Sequence, residues 1–376
     1  MPPGTGEVAA PDWSELLAAA CRGEGLSAAY QPIVDTARGT VVGYEALARF
    51  PGFAEKNPET WFAAARQHGK AEELESAAIR TALAARGTLP PNCFLTLNVS
   101  PELLPTESIR NVWRNVGSLA GLVIELTEQT PIDSYVDLEP DLNQLRAAGA
   151  LIAVDDAGAG YAGLRHLLSL RPALIKIDRE LIQDLDRDEA KRALIGMLGA
   201  FASRVDAWIL AEGVERVEEL DALVSLGVPL VQGYCLARPA APWAGIDLDV
   251  AHRLAAKAPM AHDTTVRDVL EPATTAMSTE TAAAVFAENP ALQSVVLMGD
   301  YLRPIAVLKA EDAALGVVTD GMRVNLDTPI RDALARSMTR PAASRFEPLL
   351  VTDNAGRFAG VARMERLITA LTAAAG

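Results

Sequence analysis

The sequence predicts an α/β protein in which a (β/α)8, TIM-like barrel is followed by a smaller α+β unit. Three observations carry that expectation. Short apolar runs alternate with longer amphipathic stretches from Ser27 to Tyr234. The apolar runs repeatedly end on polar or charged residues. Beyond Arg238 the alternation lapses, and from Val266 onward the chain reads as two related halves.

The strands are expected at Ala29–Val34, Val41–Leu47, Phe94–Val99, Leu122–Leu126, Leu151–Val154, Leu174–Ile177, Trp208–Ala211 and Pro229–Val231, all rich in Val, Ile and Leu. Helices are expected at Pro58–His68, Glu72–Ala85, Pro140–Ala148, Arg179–Ser203 and Glu215–Leu226. Several open on Asp, Glu or Pro and close near Gly69, Gly87, Gly149 or Gly227, as capped helices do. An open doubly wound sheet has the same alternation. The absence of Gly-x-Gly-x-x-Gly after the first strand weighs against a dinucleotide fold of that kind.

The Pro-, Ala- and Asp-rich stretch Arg238–Asp263, with one helix near Val250–Lys257, reads as a linker. After it come strands at Ser294–Met298 and Ile305–Leu308. The second half offers a helix at Ile330–Arg336, strands at Glu347–Val351 and Gly360–Ala362, and a closing helix Arg366–Ala374. The expected division is a tail and leading helix over 1–25, the barrel over 26–243, the linker over 244–263 and a C-terminal unit over 264–376.

A chain of 376 residues suits a large barrel plus one smaller domain. The formal charge of -15 argues against binding genomic nucleic acid, which needs a cationic surface. An anionic nucleotide substrate stays open, provided bound cations and a few Arg or Lys residues supply local positive charge. Three scattered cysteines (Cys21, Cys93, Cys235) form no Cys-x-x-Cys pair, so a reducing cytoplasm is expected. Met1–Pro11 has no basic start or apolar core, so no signal peptide is expected. No apolar run reaches the roughly 18 residues of a membrane span.

The polar interruptions carry the chemistry. Glu45 ends the second strand, Asn98 the third and Glu125 the fourth. Asp155 and Asp156 close the fifth, Lys176 and Asp178 the sixth, Glu212 the seventh and Gln232 the eighth. In a parallel barrel these ends meet on one face, where barrel enzymes place their active sites. So many carboxylates together repel strongly unless cations neutralise them. Oxygen donors, with only four His in the chain, favour Mg²⁺ or Mn²⁺ over a His/Cys zinc site. Asp155-Asp156 can bridge or flank two ions about 3.5–4 Å apart, the arrangement that supports phosphodiester hydrolysis. Lys176 can hold the attacking water, offset charge on the phosphorane, or simply pair with Asp178 or Asp155.

The run Glu45-Ala46-Leu47-Ala48-Arg49 resembles the signature that names the EAL phosphodiesterases. The resemblance continues through Tyr30-Gln31-Pro32-Ile33, Leu97-Asn98-Val99-Ser100, Glu125-Leu126-Thr127-Glu128 and Asp155-Asp156-Ala157-Gly158-Ala159-Gly160-Tyr161. It ends with Lys176-Ile177-Asp178, Ala211-Glu212-Gly213-Val214-Glu215 and Gln232-Gly233-Tyr234, covering roughly 26–240. It implies a (β/α)8-type barrel that linearises cyclic-di-GMP to pGpG at a two-metal Mg²⁺ or Mn²⁺ site. Glu45, Asn98, Glu125 and Asp155 would hold one ion, and Asp155, Asp156 and Glu212 the second. Glu45, Lys176 and Glu212 are the expected catalytic set, with Lys176 at the attacking water. Gln31, Glu45, Leu47, Arg49, Asp178 and Gln232 would meet the substrate, Arg49 at a phosphate. Glu128 would tie down the loop after the fifth strand, with Glu215 supporting the site. That loop carries Ala157 where the family has an aromatic residue, and Ala162-Gly163 where it has small polar ones.

The stretch Pro348–Val361 resembles the strand–turn–strand of a CBS (cystathionine-beta-synthase) module, and the tail is similar to a pair of such modules. This implies a regulatory, dimerising unit with a possible nucleotide effector, and hence a homodimer. Arg363 and Arg366 stand where such units place a Thr or Ser and an Asp for the ribose. The competing expectation is a catalytically silent cyclic-di-GMP receptor signalling through the tail. Silent members lose the signature Glu or one Asp, and this chain keeps both. A scaffold protein regulated through the tail is a third.

Overall fold

The computed structural model describes residues 12–126, 135–155, 170, 172–205, 207–257, 264–299, 302–319, 321–341, 344–354 and 356–374. Eight strands close a barrel in chain order: β1 Ser27–Asp35, β2 Thr40–Arg49, β3 Phe94–Val99, β4 Leu122–Leu126, β5 Leu151–Val154, β6 Leu174–Ile177, β7 Trp208–Ala211 and β8 Leu230–Val231. Five of the eight coincide with the strands expected from sequence. An all-parallel barrel is not what forms. β1 runs antiparallel to both β2 and β8, whereas every pairing from β2 through β8 is parallel. The physical reason is local. Only a short turn separates Asp35 from Thr40, which closes a hairpin but leaves no room for a crossover helix. β1 therefore lays its middle, not its C-terminal end, beside the mouth, pairing Gln31 with Glu45.

Two helix expectations also change. Pro140 lies inside the helix Tyr135–Ala147 rather than at its start, so that helix tolerates one missing backbone donor. Arg179–Ser203 is two helices, Arg179–Ile182 and Glu189–Val205. The break follows from Asp184, whose φ is 59°, and from Asp188, whose carboxylate accepts from the Ala190 N–H at 2.9 Å and caps the second helix. The segment read as a linker carries the helix Leu248–Lys257. Its Leu254 is buried in the barrel's outer core, and Trp243 packs on Tyr30 and Tyr44.

The barrel has two apolar layers. Inside lie Ile33, Val42, Phe94, Val123, Ala153, Leu174, Leu210 and Leu230. The second layer, between the strands and the surrounding helices, is larger and includes Leu95, Leu97, Ile124, Ile175 and Ile209.

Beyond the barrel lie two three-stranded sheets. The first orders β11 (Pro304–Leu308), β10 (Val295–Met298) and β9 (Thr275–Ala276); the second orders β12 (Arg323–Asn325), β13 (Leu349–Thr352) and β14 (Phe358–Ala362). Each combines one parallel and one antiparallel pairing, and each antiparallel pair shifts register at its end, at Leu297/Met298 and at Val351/Thr352. This is the internal repeat the sequence predicts. The sheets share a core of Val296, Met298, Leu350 and Val361. Asp327 ties the repeat to the barrel, paired with Arg38 of the β1–β2 turn and with Arg267 at 2.8 Å. Among the described residues, no helix is long and apolar enough to cross a membrane.

Candidate active site at the barrel mouth

Alternation along each strand builds the site, because residues two apart share a face. Inward positions run from apolar to polar: Phe94, Thr96, Asn98 on β3; Val123, Glu125 on β4; Leu151, Ala153, Asp155 on β5; Leu174, Lys176 on β6; Leu210, Glu212 on β7; Leu230, Gln232 on β8. The apolar ends close the foot and the polar ends open at the mouth. One two-residue rhythm produces both.

Lys176 is the hub, with only 1% of its surface exposed. Its Nζ lies 2.7 Å from Glu125 Oε2, 2.7 Å from Glu212 Oε1, 3.3 Å from Asp155 Oδ1 and 3.5 Å from Glu45 Oε1. Around this knot Asn98 Nδ2 donates to Glu45 Oε1 at 3.0 Å. Gln232 Nε2 donates to Glu45 Oε2 at 2.6 Å and to Gln31 Oε1 at 3.0 Å, while Gln31 Nε2 donates to the Ala237 carbonyl. Seven of the sequence-predicted residues thus converge through direct polar contacts with Glu45 or Lys176: Asn98, Glu125, Asp155, Glu212 and Gln232, with those two themselves. Gln31 joins through Gln232.

Four carboxyl groups share one ammonium, and their proton affinities split accordingly. Burial alone would raise the Glu45 carboxyl, but the Lys176 ammonium and the donors of Asn98 and Gln232 bring it below the ordinary range. Burial pushes Glu125 up to about 8 against the pull of Lys176, with Glu45 and Asp155 adding to the rise. Glu212 is raised well above the usual value, again mainly by burial. Burial works against the Lys176 charge, yet its four acidic neighbours hold its pKa well above normal.

Three acceptor oxygens at this mouth, Glu125 Oε1, Glu212 Oε1 and Gln232 Oε1, are buried, and among the described residues only the second has a partner, the Lys176 ammonium at 2.7 Å. Orphaned acceptors beside more carboxyl groups than one ammonium can hold ionised are what a divalent cation satisfies. The donor set, carboxylates plus the Asn98 amide, fits Mg²⁺ or Mn²⁺. An acidic trio elsewhere, Asp184, Asp186 and Glu219, does not make the same case. Arg216 already sits among the three, 3.3 Å from Asp184 and 3.0 Å from Glu219, and bonded to Asp186.

Over the carboxylates opens a cavity of about 380 Å³ lined by Glu45, Leu47, Arg49, Asn98, Asp155, Lys176 and Glu212. The sequence did not single out Asn57, Phe62, Arg66 and Glu75, which line it as well. Phe62 and Arg66 stand four apart on the helix Pro58–Gln67, and that spacing was the available signal. Asp178 caps the helix Arg179–Ile182 through the Glu180 N–H at 2.6 Å, and Glu215 pairs with Arg179 at 3.1 Å; neither lines the cavity. Asp156, Glu128, Ala157, Ala162 and Gly163 lie outside the described residues. Two motif glycines have backbone reasons. Gly213 adopts φ 63° with Arg179 carbons 2.6 Å from where a Cβ would stand, and a Cβ on Gly233 would meet the Val214 carbonyl at 2.1 Å.

Glu75 supports the mouth from behind. Its oxygens accept from the Ser100 N–H at 2.8 Å and the Ser100 hydroxyl at 2.6 Å, anchoring the turn after Asn98. Burial pushes its carboxyl from 4.5 up to about 7, partly offset by the two Ser100 bonds. A folded pKa above the unfolded one gives stability that is complete below pH 4.5 and lost as pH rises through about 7. At 1.36 kcal/mol per unit this is roughly 3 kcal/mol across the window. Glu75→Gln is therefore expected to lose stability less steeply than the parent as pH rises from about 5 to about 8. Thermal unfolding across that range checks it, and parallel curves for the two proteins refute it.

A family model described as the EAL domain matches residues 14–239. The chain belongs to the EAL domain family. The matched span opens within the helix Trp13–Cys21, ahead of residue 26, and that helix buries Leu17 and Ala20 in a cluster with Phe50 and Trp61. The EAL region resembles the cyclic di-GMP phosphodiesterase RocR of Pseudomonas aeruginosa, 29% identical over 245 residues, which are 61% of this chain and 61% of RocR. Among solved structures it resembles BlrP1 of Klebsiella pneumoniae in its calcium/cy-diGMP complex at pH 8.0. The two are 31% identical with a TM-score of 0.53, over 59% of this chain and 58% of BlrP1. The manganese/cy-diGMP complex of BlrP1 at pH 9.0 gives 31% and 0.52, over 58% and 57% of the two chains. The matches span 28%, 27% and 32% of the first three curated relatives.

Proposed function

We propose that the chain hydrolyses cyclic-di-GMP to linear pGpG, using Mg²⁺ or Mn²⁺ held at the barrel mouth. The supporting observation is that the buried Glu45 and Glu125 and the half-buried Asn98, Asp155 and Glu212 gather round Lys176, with Glu125 Oε1 left without a hydrogen-bond partner among the described residues. Glu45, Asn98, Glu125 and Asp155 would hold one ion, and Asp155 with Asp156 and Glu212 the second. Such ions, when bound, polarise the phosphate and acidify water. Lys176 would orient that water, a role for which its four acidic contacts keep the ammonium charged and fixed. Gln232 and Gln31 hold Glu45 in place from the β1 and β8 side. Leu47 and Arg49, at the cavity wall, would meet the substrate, Arg49 at a phosphate.

The division into a tail and leading helix, a barrel, a connecting stretch and a C-terminal unit over 264–376 belongs to the same proposal. So does the likeness of that unit to a CBS pair, supported by the repeated three-strand pattern. A homodimer in the cytoplasm, regulated through this unit, follows from it.

The test is direct. The full chain with cyclic-di-GMP is expected to release pGpG with Mg²⁺ or Mn²⁺ and none with EDTA, activity returning on re-addition of the ion. Tight binding without turnover under either metal would reject the hydrolase in favour of a receptor.

A further inference from the structure

The cavity over the carboxylates does not end at the charged cluster. It continues along the helices Pro58–Gln67 and Ala71–Leu83, and that far wall is unlike the mouth. Phe62, Ala78, Ile79 and Leu97 give it apolar surface, and Arg66 stands at the same wall. None of these side chains offers the oxygen donors that Mg²⁺ or Mn²⁺ take. The wall therefore has a use other than holding the ions.

Phe62 and Arg66 are four residues apart, so one face of the helix Pro58–Gln67 carries both to the cavity. That helix is fixed from beneath. Trp61, fully buried, stacks on Phe50 with ring centroids 4.4 Å apart, and Phe62 meets the same Phe50 ring at 76°. Asn57 caps the helix start by accepting from the Glu59 N–H at 3.1 Å. Phe62 is left half-buried and Arg66 exposed on this anchored helix. Arg49, four residues past Glu45, is a separate guanidinium on the cavity wall.

A cyclic dinucleotide must place its bases as well as its phosphates. A base has flat faces that stack on apolar rings and a polar edge that hydrogen bonds read. Guanine presents the acceptors O6 and N7 side by side, and the guanidinium fork engages both with two parallel bonds. Adenine carries an amino donor in place of O6 and cannot accept both.

We propose that Phe62 and Arg66 form the subsite for one guanine base of the dinucleotide, Phe62 against its face and Arg66 donating to O6 and N7. The proposal rests on the phosphodiesterase reading for its substrate. It gives the chain a means of choosing guanine over adenine that the metal site cannot supply, since both cyclic dinucleotides carry the same phosphodiester.

Equilibrium binding of cyclic-di-GMP and cyclic-di-AMP to the full chain with Ca²⁺, alongside hydrolysis with Mn²⁺, tests it. Binding reads the subsite whether or not the chain turns over, so a parent that binds without hydrolysing sinks the phosphodiesterase reading and leaves the subsite standing. Arg66→Ala, at an exposed helix position that alanine suits, is expected to weaken cyclic-di-GMP about fivefold to hundredfold, the scale of one bidentate guanine contact. KM is expected to rise by the same factor with kcat within a few-fold, and cyclic-di-AMP binding is expected to stay nearly unchanged. Arg66→Lys keeps the charge but not the fork, and is expected to lose as much as Arg66→Ala. Phe62→Leu is expected to weaken both nucleotides alike, because stacking does not read the base edge. Parent affinity for cyclic-di-GMP in Arg66→Ala, Arg66→Lys or Phe62→Leu would overturn the subsite. An equal loss of both nucleotides in Arg66→Ala, or no binding of either by the parent, would do the same.

Discussion

Glu45→Ala is expected to lower pGpG formation at least about 10²–10³-fold, the scale seen when one preorganised electrostatic group is removed from an active site. Glu45 lies between the Asn98 and Gln232 amides and within 3.5 Å of the Lys176 ammonium, so its loss removes a ligand oxygen and leaves the buried Gln232 and half-buried Asn98 donors without this acceptor. Glu45→Gln separates charge from shape, since it keeps the volume while presenting an amide to Asn98 and Gln232. Product chromatography over a time course, at saturating Mn²⁺, measures both. Activity within a few-fold of the parent in Glu45→Ala would remove the mouth from the mechanism.

Lys176→Met is expected to damage stability as well as catalysis. The ammonium is the cation shared by Glu45, Glu125, Asp155 and Glu212, and a thioether of similar reach leaves those carboxylates facing one another. Breaking a buried charge cluster on one side costs about 3–5 kcal/mol. Chemical denaturation in EDTA is expected to show that loss. Mn²⁺ is expected to recover part of it, because an ion that binds only the folded chain stabilises by mass action. Turnover is not expected to return, since the group that would orient water is gone. Equal stability of variant and parent in EDTA would show the cluster to be protonated and self-sufficient.

Much of the site was legible in the sequence because a strand exposes its chemistry in a simple code. A single polar residue that interrupts an apolar run near its end, as Glu125 does in Leu122–Leu126 or Lys176 in Leu174–Ile177, is too costly to bury without a partner and so marks a site. Helix partners carry no such mark. Phe62, Arg66 and Glu75 lie on amphipathic helices, where polar residues turn toward solvent for no functional reason, and only the docked helix shows which side faces the cavity.

What the sequence determined by itself is the set of strands and the two-residue alternation that loads acids onto their ends, since both depend on neighbours close along the chain. Direction and register were decided only in three dimensions. The β1–β2 turn reverses β1 and brings Gln31, a mid-strand residue, beside Glu45. The antiparallel pairing joins residues close in sequence, whereas the Gln232 bonds to both of them link positions some two hundred apart. The docking of Arg303 onto the Arg146 and Ala150 carbonyls was likewise invisible, because nothing in a residue beside a strand reveals which part of the molecule will be packed beneath it.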